Sequence, residues 1–363
     1  MSDFQDLVIR RLEDTIGTGV MSAASVRIDQ RGETLLEWTG GKRDFGPSAP
    51  PADTDSVYYI ASVSKPMSTT GFANLIERGL VDADDPVAEY VPEFDGNGKA
   101  GVTLRHCLTH TSGLSDMVPG NIGLRKRNAP RSEFVAAACE SRLLFPPGTD
   151  VRYQSSGILM LSEVSERVTG IPYRDHLAQT LFKPTGMTST QLGWRNEFED
   201  RIVVARVGDP ENTAHWNTNS EYWRNFGAPW GGVHTTAADV ARLMQLMLDG
   251  GRTPSGDNVL NSGTVRMLLH DYTTAGPDLS TATRLREGWG FGWRLQRLGA
   301  GGWFGSAVPP SAFGHHGVSG TVAWADPASG VVFVLLTNGQ LEARGETLKA
   351  CGNIAATALC AAD

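Results

Sequence analysis

The 363-residue sequence predicts a mixed α/β (α+β) protein: an antiparallel sheet flanked by helices and built from both chain ends, with a mostly helical lobe beside it. Three observations carry this. Alternating apolar and polar runs lie near both termini, and helical periodicity fills the middle. Hydrophobic content of 40% against 20% charged residues allows a sizeable core. Hairpins at both ends fit one sheet and leave the central helices as a second lobe. The expected division is an α/β lobe of residues 1–66 and 240–363 and a mostly helical lobe of 67–239, with a site between them.

Residues 4–17 place Phe4, Leu7, Val8, Leu12 and Ile16 at helical spacing. Ser25–Asp29 alternates as a strand, Gln30-Arg31-Gly32 turns, and Thr34–Trp38 returns. Residues 46–54 read as a loop. A helix from Val63 to Arg78 is stopped by Gly79. Pro66 fixes its start, because proline is tolerated only in the first helical turn, so the helix begins close to Ser62. Helical patterns recur near 131–141, 155–169, 173–182 and 236–249. Residues 250–310 are irregular, with a short strand near 290–295. The end returns to β at 321–325 and 331–337 around the turn Asp326–Gly330, and a helix closes the chain over 341–360.

The net charge of −8 argues against nucleic acid as partner, since phosphate binders present basic faces. No run approaches the roughly 18 apolar residues of a membrane span. Asp3, Asp6 and Glu13 interrupt the N-terminal apolar pattern, unlike a secretory signal. A cytoplasmic location is expected. Cys107, Cys139, Cys351 and Cys360 form no CxxC pair. On one helix Cys351 and Cys360 face opposite sides, so free thiols are expected.

Ser62-Val63-Ser64-Lys65 puts a serine and a lysine one turn apart at a helix start, where free N–H groups and the helix dipole favour negative charge. A buried lysine can accept the serine proton. With six lysines in the chain, a chance S-x-x-K has a probability of about one in three, so the motif needs company; alone, Ser62 reads equally as a helix cap. Tyr153-Gln154-Ser155 stands at a helix entrance, where a tyrosine also fits as a partly buried residue. Gly314-His315-His316-Gly317 precedes the terminal hairpin. Neighbouring residues on a strand face opposite ways, so the two histidines do not suit one metal ion, and the glycines point to close approach of backbone to a ligand. His106 and His110, four apart, can share a helical face; without an H-E-x-x-H pattern structural roles suit them better. Gly96, Gly98 and Gly101 match G-x-G-x-x-G, but no strand precedes them, and they read as a loop. No G-x-S-x-G elbow or Walker loop is present, and nothing calls for a metal or organic cofactor.

Further stretches add to these. Thr103–Leu114 contains Leu108-Thr109-His110-Thr111-Ser112-Gly113-Leu114, Leu181–Met187 reads Leu-Phe-Lys-Pro-Thr-Gly-Met, and Gly231–Asp239 reads Gly-Gly-Val-His-Thr-Thr-Ala-Ala-Asp. Together, and in this order, they resemble the serine β-lactamase and penicillin-binding-protein superfamily, in its class C-like branch with family VIII carboxylesterases and D-amino-acid peptidases. The resemblance spans nearly the whole chain. It implies a β-lactamase-like fold with the site between two lobes, Ser62 as nucleophile, and Lys65 with Tyr153 as general base. It implies an oxyanion hole from the N–H groups of Ser62 and Val318, with Ser155, His315, His316 and Gly317 against the substrate.

Two departures steer the substrate expectation. Tyr153-Gln154-Ser155 replaces Y-x-N, and a serine reaches less far than an asparagine. His315-His316-Gly317 replaces K-T-G, exchanging a fixed positive charge for a ring mostly neutral at pH 7. Both lean toward carboxylic esters and away from β-lactams or peptides. The alternatives are a D-amino-acid peptidase, DD-peptidase or weak β-lactamase on the same site, or a non-catalytic binding protein with the fold. The expected partner is a small-molecule ester, or an amide or β-lactam. Trp223, Trp230, Trp289, Trp293 and Trp303, with Phe226 and Phe291, serve either packing or an apolar cleft.

Overall fold

The computed structural model describes residues 2–194, 196–207, 217–275, 278–297, 302, 304–340, 342 and 345–360. The described strands are β1 (Ala23–Gln30), β2 (Glu33–Gly41), β3 (Tyr58–Tyr59), β4 (Gln191–Leu192), β5 (Val233–Thr235), β6 (Arg294–Leu295), β7 (Phe313–Gly317), β8 (Thr321–Asp326) and β9 (Val331–Thr337). Six form one antiparallel sheet in the order β2-β1-β9-β8-β7-β6, so both chain ends do build it. The other three form a small sheet, β3-β5-β4.

The sequence of β9, Val-Val-Phe-Val-Leu-Leu-Thr, is buried at every position. Such a run suits a strand covered on both faces. Val331, Phe333 and Leu335 join Val26, Ile28 and Trp324 beneath the helices Ser2–Gly17 and Glu346–Leu359. Val332, Val334 and Leu336 face the opposite way. They join a core that holds Val240 and Met244 of the helix Ala237–Leu248, Phe72 of Ser64–Glu77 and Leu159 of Ser156–Thr169. Leu335 pairs with both Val26 and Val322. With both faces apolar the pattern alone does not fix the register; the turn Asp326–Gly330 joins β8 to β9 with Asp326 opposite Val331.

The helices expected near 131–141, 155–169 and 236–249 are found as Arg131–Glu140, Ser156–Thr169 and Ala237–Leu248. The helix expected over 173–182 is α-helical only at Tyr173–Leu177 and widens to a π turn over Ala178–Phe182. The strand expected near 290–295 shortens to Arg294–Leu295, because Gly290 N–H bonds Trp293 O and turns the chain. The last helix runs over Glu346–Leu359, after Gly345 in the left-handed region; the expected start at 341 lies outside the described residues. β7 is a strand that alternation does not signal, since its glycines and histidines carry no apolar period. Cys351 is buried and Cys360 half-buried, and both are free thiols. No helix among the described residues is long and apolar enough to cross a membrane.

Candidate functional site

The Pro66 argument places the helix start well. A 3-10 turn, Ala61–Val63, leads into the α-helix at Ser64. Ala61 sits at φ 46°, in the left-handed region that costs a non-glycine residue about 1 kcal/mol or more. Surrounding bonds hold it there. Ile60 N–H donates to Val233 O on β5 at 3.1 Å. Thr321 Oγ1 donates to Ile60 O and Ser319 Oγ to Tyr59 O, each at 3.0 Å. Ser62 emerges from this bend half-buried.

Lys65, one turn further, is fully buried. Its Nζ lies 3.3 Å from Ser62 Oγ, donates to Trp230 O at 3.1 Å and stands 4.4 Å from the centre of the Tyr153 ring. Burial lowers the ammonium pKa to about 7, against the pull of the Asp116 carboxylate. Tyr153 moves the other way. Burial raises its phenol pKa, a hydrogen bond with Ser62 opposes this, and Asp116 adds to the rise. At neutral pH the amine therefore exchanges protons while the phenol keeps its own.

Tyr153 is carried by a loop laid into the segment that follows the short helix Leu104–Leu108. Gln154 is buried: its Oε1 accepts from Ser112 Oγ at 2.5 Å and its Nε2 donates to His106 O at 3.4 Å. The N–H groups of Ser155 and Ser156 both donate to Asp116 O. Ser155 Oγ donates to Asp116 Oδ1 at 2.8 Å. The shared helical face expected for His106 and His110 does not form, because the helix ends at Leu108 and His110 stands at φ 61°.

β7 brings up the third stretch. His315 is buried and its Nδ1–H donates to His316 O at 2.6 Å, which leaves Nε2 as the unprotonated nitrogen. Burial, then the nearby Lys65 charge, lower its pKa to about 3, so the ring is neutral. His316 is half-buried, and burial lowers its pKa as well. The close approach that the glycines signal is made by the chain itself. A Cβ on Gly317 would lie 2.5 Å from Ile60 O and 2.4 Å from Thr321 Oγ1. Val318 follows in the β7–β8 turn, 44% exposed, and among the described residues its N–H has no acceptor.

The tryptophans divide. Trp289 lies 5.9 Å from the Tyr153 ring and 5.8 Å from His315. Trp230 gives its carbonyl to Lys65 and lines a small cavity of about 10 Å³ with Ser155 and Asp116. Trp223 and Phe226 stack on each other, Phe291 stacks on Tyr272, and Trp293 is buried with Nε1–H on Thr70. Those four pack. Trp303 lies outside the described residues.

Sequence reasoning passed over Asp116 and Arg294, and gave His110 only a structural role. Arg294 pairs with Glu287 at 2.8 Å, lies 4.9 Å from the Trp289 ring centre, and its charge is felt at Tyr153 and His315. Asp116 and His110 sit in or just past the Thr109–Leu114 stretch, which was a usable signal. Nothing in the sequence marks Arg294.

A serine on a bent helix start, beside a buried amine poised to exchange a proton and a phenol that keeps its own, has the geometry of a serine acyl-transfer site on an α/β scaffold. A family model described as Beta-lactamase matches residues 8–351. The chain belongs to that family, within a superfamily of serine hydrolases. It is 32% identical over 296 residues to "Penicillin-binding protein 4" of Amycolatopsis lactamdurans, covering 79% of this chain and 73% of that protein. Among solved structures it resembles "EstCE1, a hydrolase with promiscuous acyltransferase activity", with a TM-score of 0.77, 19% identity and 98% of each chain covered. It also resembles a family VIII carboxylesterase, with a TM-score of 0.75, 21% identity and 96% of each chain covered.

Proposed function

We propose that the protein is a carboxylesterase that works through a Ser62 acyl-enzyme. The observation that carries this is the buried Lys65, its pKa lowered to about 7, with Nζ 3.3 Å from Ser62 Oγ. In its neutral form the amine takes the Ser62 proton, directly or through the Tyr153 hydroxyl, as Ser62 Oγ attacks the ester carbonyl carbon. The N–H groups of Ser62 and Val318 receive the developing oxyanion. Collapse returns the proton to the leaving alcohol, and water then cleaves the acyl-enzyme by the same relay. The neutral His315 favours substrates that need no cation at that position. His316 and Gly317 border the substrate in this reading, and the Ser155 hydroxyl, expected there too, is bonded to Asp116 instead. Ser62 then lies at the seam between an α/β lobe, residues 1–66 and 240–363, and a mostly helical lobe, 67–239.

Fluorophosphonate labelling tests the nucleophile. Wild type labels and Ser62→Ala does not; labelling that survives the substitution overturns the proposal. The labelling rate rises with pH through about 7, because the amine must be neutral. A flat rate between pH 6 and 8 removes Lys65 as base. Turnover of p-nitrophenyl butyrate exceeds that of nitrocefin.

Arg294 supports a second reading. Its guanidinium, beside Trp289 and felt at His315, supplies a fixed charge for a substrate carboxylate despite the missing lysine. Faster turnover of nitrocefin or a D-alanyl-D-alanine peptide, abolished by Arg294→Met, selects peptide or β-lactam chemistry.

A further inference from the structure

His110 makes two backbone contacts that bracket Tyr153. Its carbonyl oxygen accepts the N–H of Arg152 at 2.9 Å, and its ring Nδ1 accepts the N–H of Gln154 at 3.3 Å. The residues before and after Tyr153 are thus held by one residue. A ring nitrogen that accepts from an amide carries no proton, so the geometry assigns the hydrogen to Nε2. The ring is fully buried, 5.0 Å from the Tyr153 ring and 4.3 Å edge-on from Trp289. Burial first, then the charges of Lys65 and Arg294, keep it neutral, and only the neutral ring can accept at Nδ1.

The backbone pays attention to the same geometry. His110 stands at φ 61°, a conformation that β-branched and bulky residues avoid. That bend follows directly on the helix Leu104–Leu108 and turns both the carbonyl and the ring toward the 152–154 segment. A residue needing only to fill space has no reason to hold a left-handed conformation.

We propose that His110 is a positioning residue: its carbonyl and ring clamp the main chain on either side of Tyr153 and aim the phenol at Ser62 and Lys65. This rests on the reading of Tyr153 as proton relay. His110 touches no reacting atom. It sets where the phenol stands, and a displacement of about 1 Å there is enough to slow proton transfer about a hundredfold.

The test is a cycle of variants read by the pre-steady-state acylation rate on p-nitrophenyl butyrate. His110→Phe keeps a ring against Trp289 and removes the acceptor. His110→Asn keeps an acceptor near the Nδ1 position and tolerates the left-handed backbone. His110→Phe lowers the acylation rate by about tenfold to a hundredfold, while the substrate dissociation constant stays within about twofold. His110→Asn restores the rate to within about threefold of wild type. In a Tyr153→Phe background, His110→Phe causes no further loss, because its effect runs through the phenol. Equal losses from His110→Phe in both backgrounds overturn the proposal, as does His110→Asn being as slow as His110→Phe. If His110→Phe does not fold, His110→Leu replaces it, and failure of both to fold assigns His110 to the fold alone. Full acylation in Tyr153→Phe by itself marks a failure of the relay reading and removes this proposal with it.

Discussion

Two segments face Ser62, and they are held in opposite ways. The β7–β8 turn is fixed first by close main-chain contact, Gly317 against Ile60 O with no room for a side chain, and then by the hydroxyls of Thr321 and Ser319 on the carbonyls of Ile60 and Tyr59. The Tyr153 loop is fixed by side chains and carbonyls of another loop: His110, Ser112 and Asp116. Contact between backbones leaves no slack, whereas a polar clamp can be remade by another acceptor of similar reach. Substitutions on the turn should therefore do more damage than substitutions in the cradle.

Gly317→Ala is the strongest test of that contrast. The new Cβ meets Ile60 O at 2.5 Å, and backbone cannot move aside as a flexible side chain does. Overpacking of this kind costs about 1–3 kcal/mol. The larger effect is on chemistry, since the strained Ala61–Ser62 bend and the Val318 N–H must separate. Acylation falls by about a hundredfold or more while the protein still folds. A variant with near-wild-type acylation would show that the turn has slack.

The second effect is a pH dependence of stability. His315 is neutral when folded, with its pKa lowered to about 3, and titrates near 6.5 when unfolded. Below 6.5 the unfolded chain binds the extra proton, so the contribution is fully present above about 6.5 and is lost as pH falls toward about 3. His110 and His316 shift in the same direction. His315→Asn should flatten the fall of Tm between pH 6.5 and 4, measured by calorimetry. An unchanged slope would mean that the ring charges without penalty.

Thr321→Val removes one bolt of the turn and keeps its shape. Ile60 O loses a buried donor, at about 1–3 kcal/mol. Acylation should fall less than tenfold, well short of Gly317→Ala, because the glycine contact remains. Thermal unfolding and burst kinetics on the two variants rank the contacts directly.

What the sequence revealed follows the same division. β1 alternates and β8 and β9 are continuous apolar runs, and both signals are local, so the sheet could be read. Pro66 carries a positional rule, so the helix start was found within two residues. β7 was not foreseen as a strand because Phe-Gly-His-His-Gly has no alternation, and its glycine answers to Ile60, far away in the chain. Ser62, Lys65 and Tyr153 do come together, but what sets their protonation was not legible. That depends on burial and on Asp116, whose approach to Lys65 comes from folding and not from spacing. Arg294 reaches the site from β6, two residues within the short strand expected near 290–295, but nothing in that pattern marks the arginine as part of the site.

The smallest expected effect is at Ser155, and it bears on the cradle alone. The family resemblance implied that this hydroxyl faces substrate. In the structure it is buried and donates to Asp116 Oδ1, while Asp116 O separately holds the N–H groups of Ser155 and Ser156. Ser155→Ala thus removes one of several bonds on Asp116 and leaves the backbone pair intact. The loss in stability is about 1 kcal/mol. Asp116 keeps its charge, so the field on Lys65 persists and the pH at which acylation reaches half its maximum stays put. KM for p-nitrophenyl butyrate should change by less than about twofold. A large rise in KM would return the hydroxyl to the substrate, and a shift of the pH midpoint would show that the Ser155 bond governs the Asp116 field.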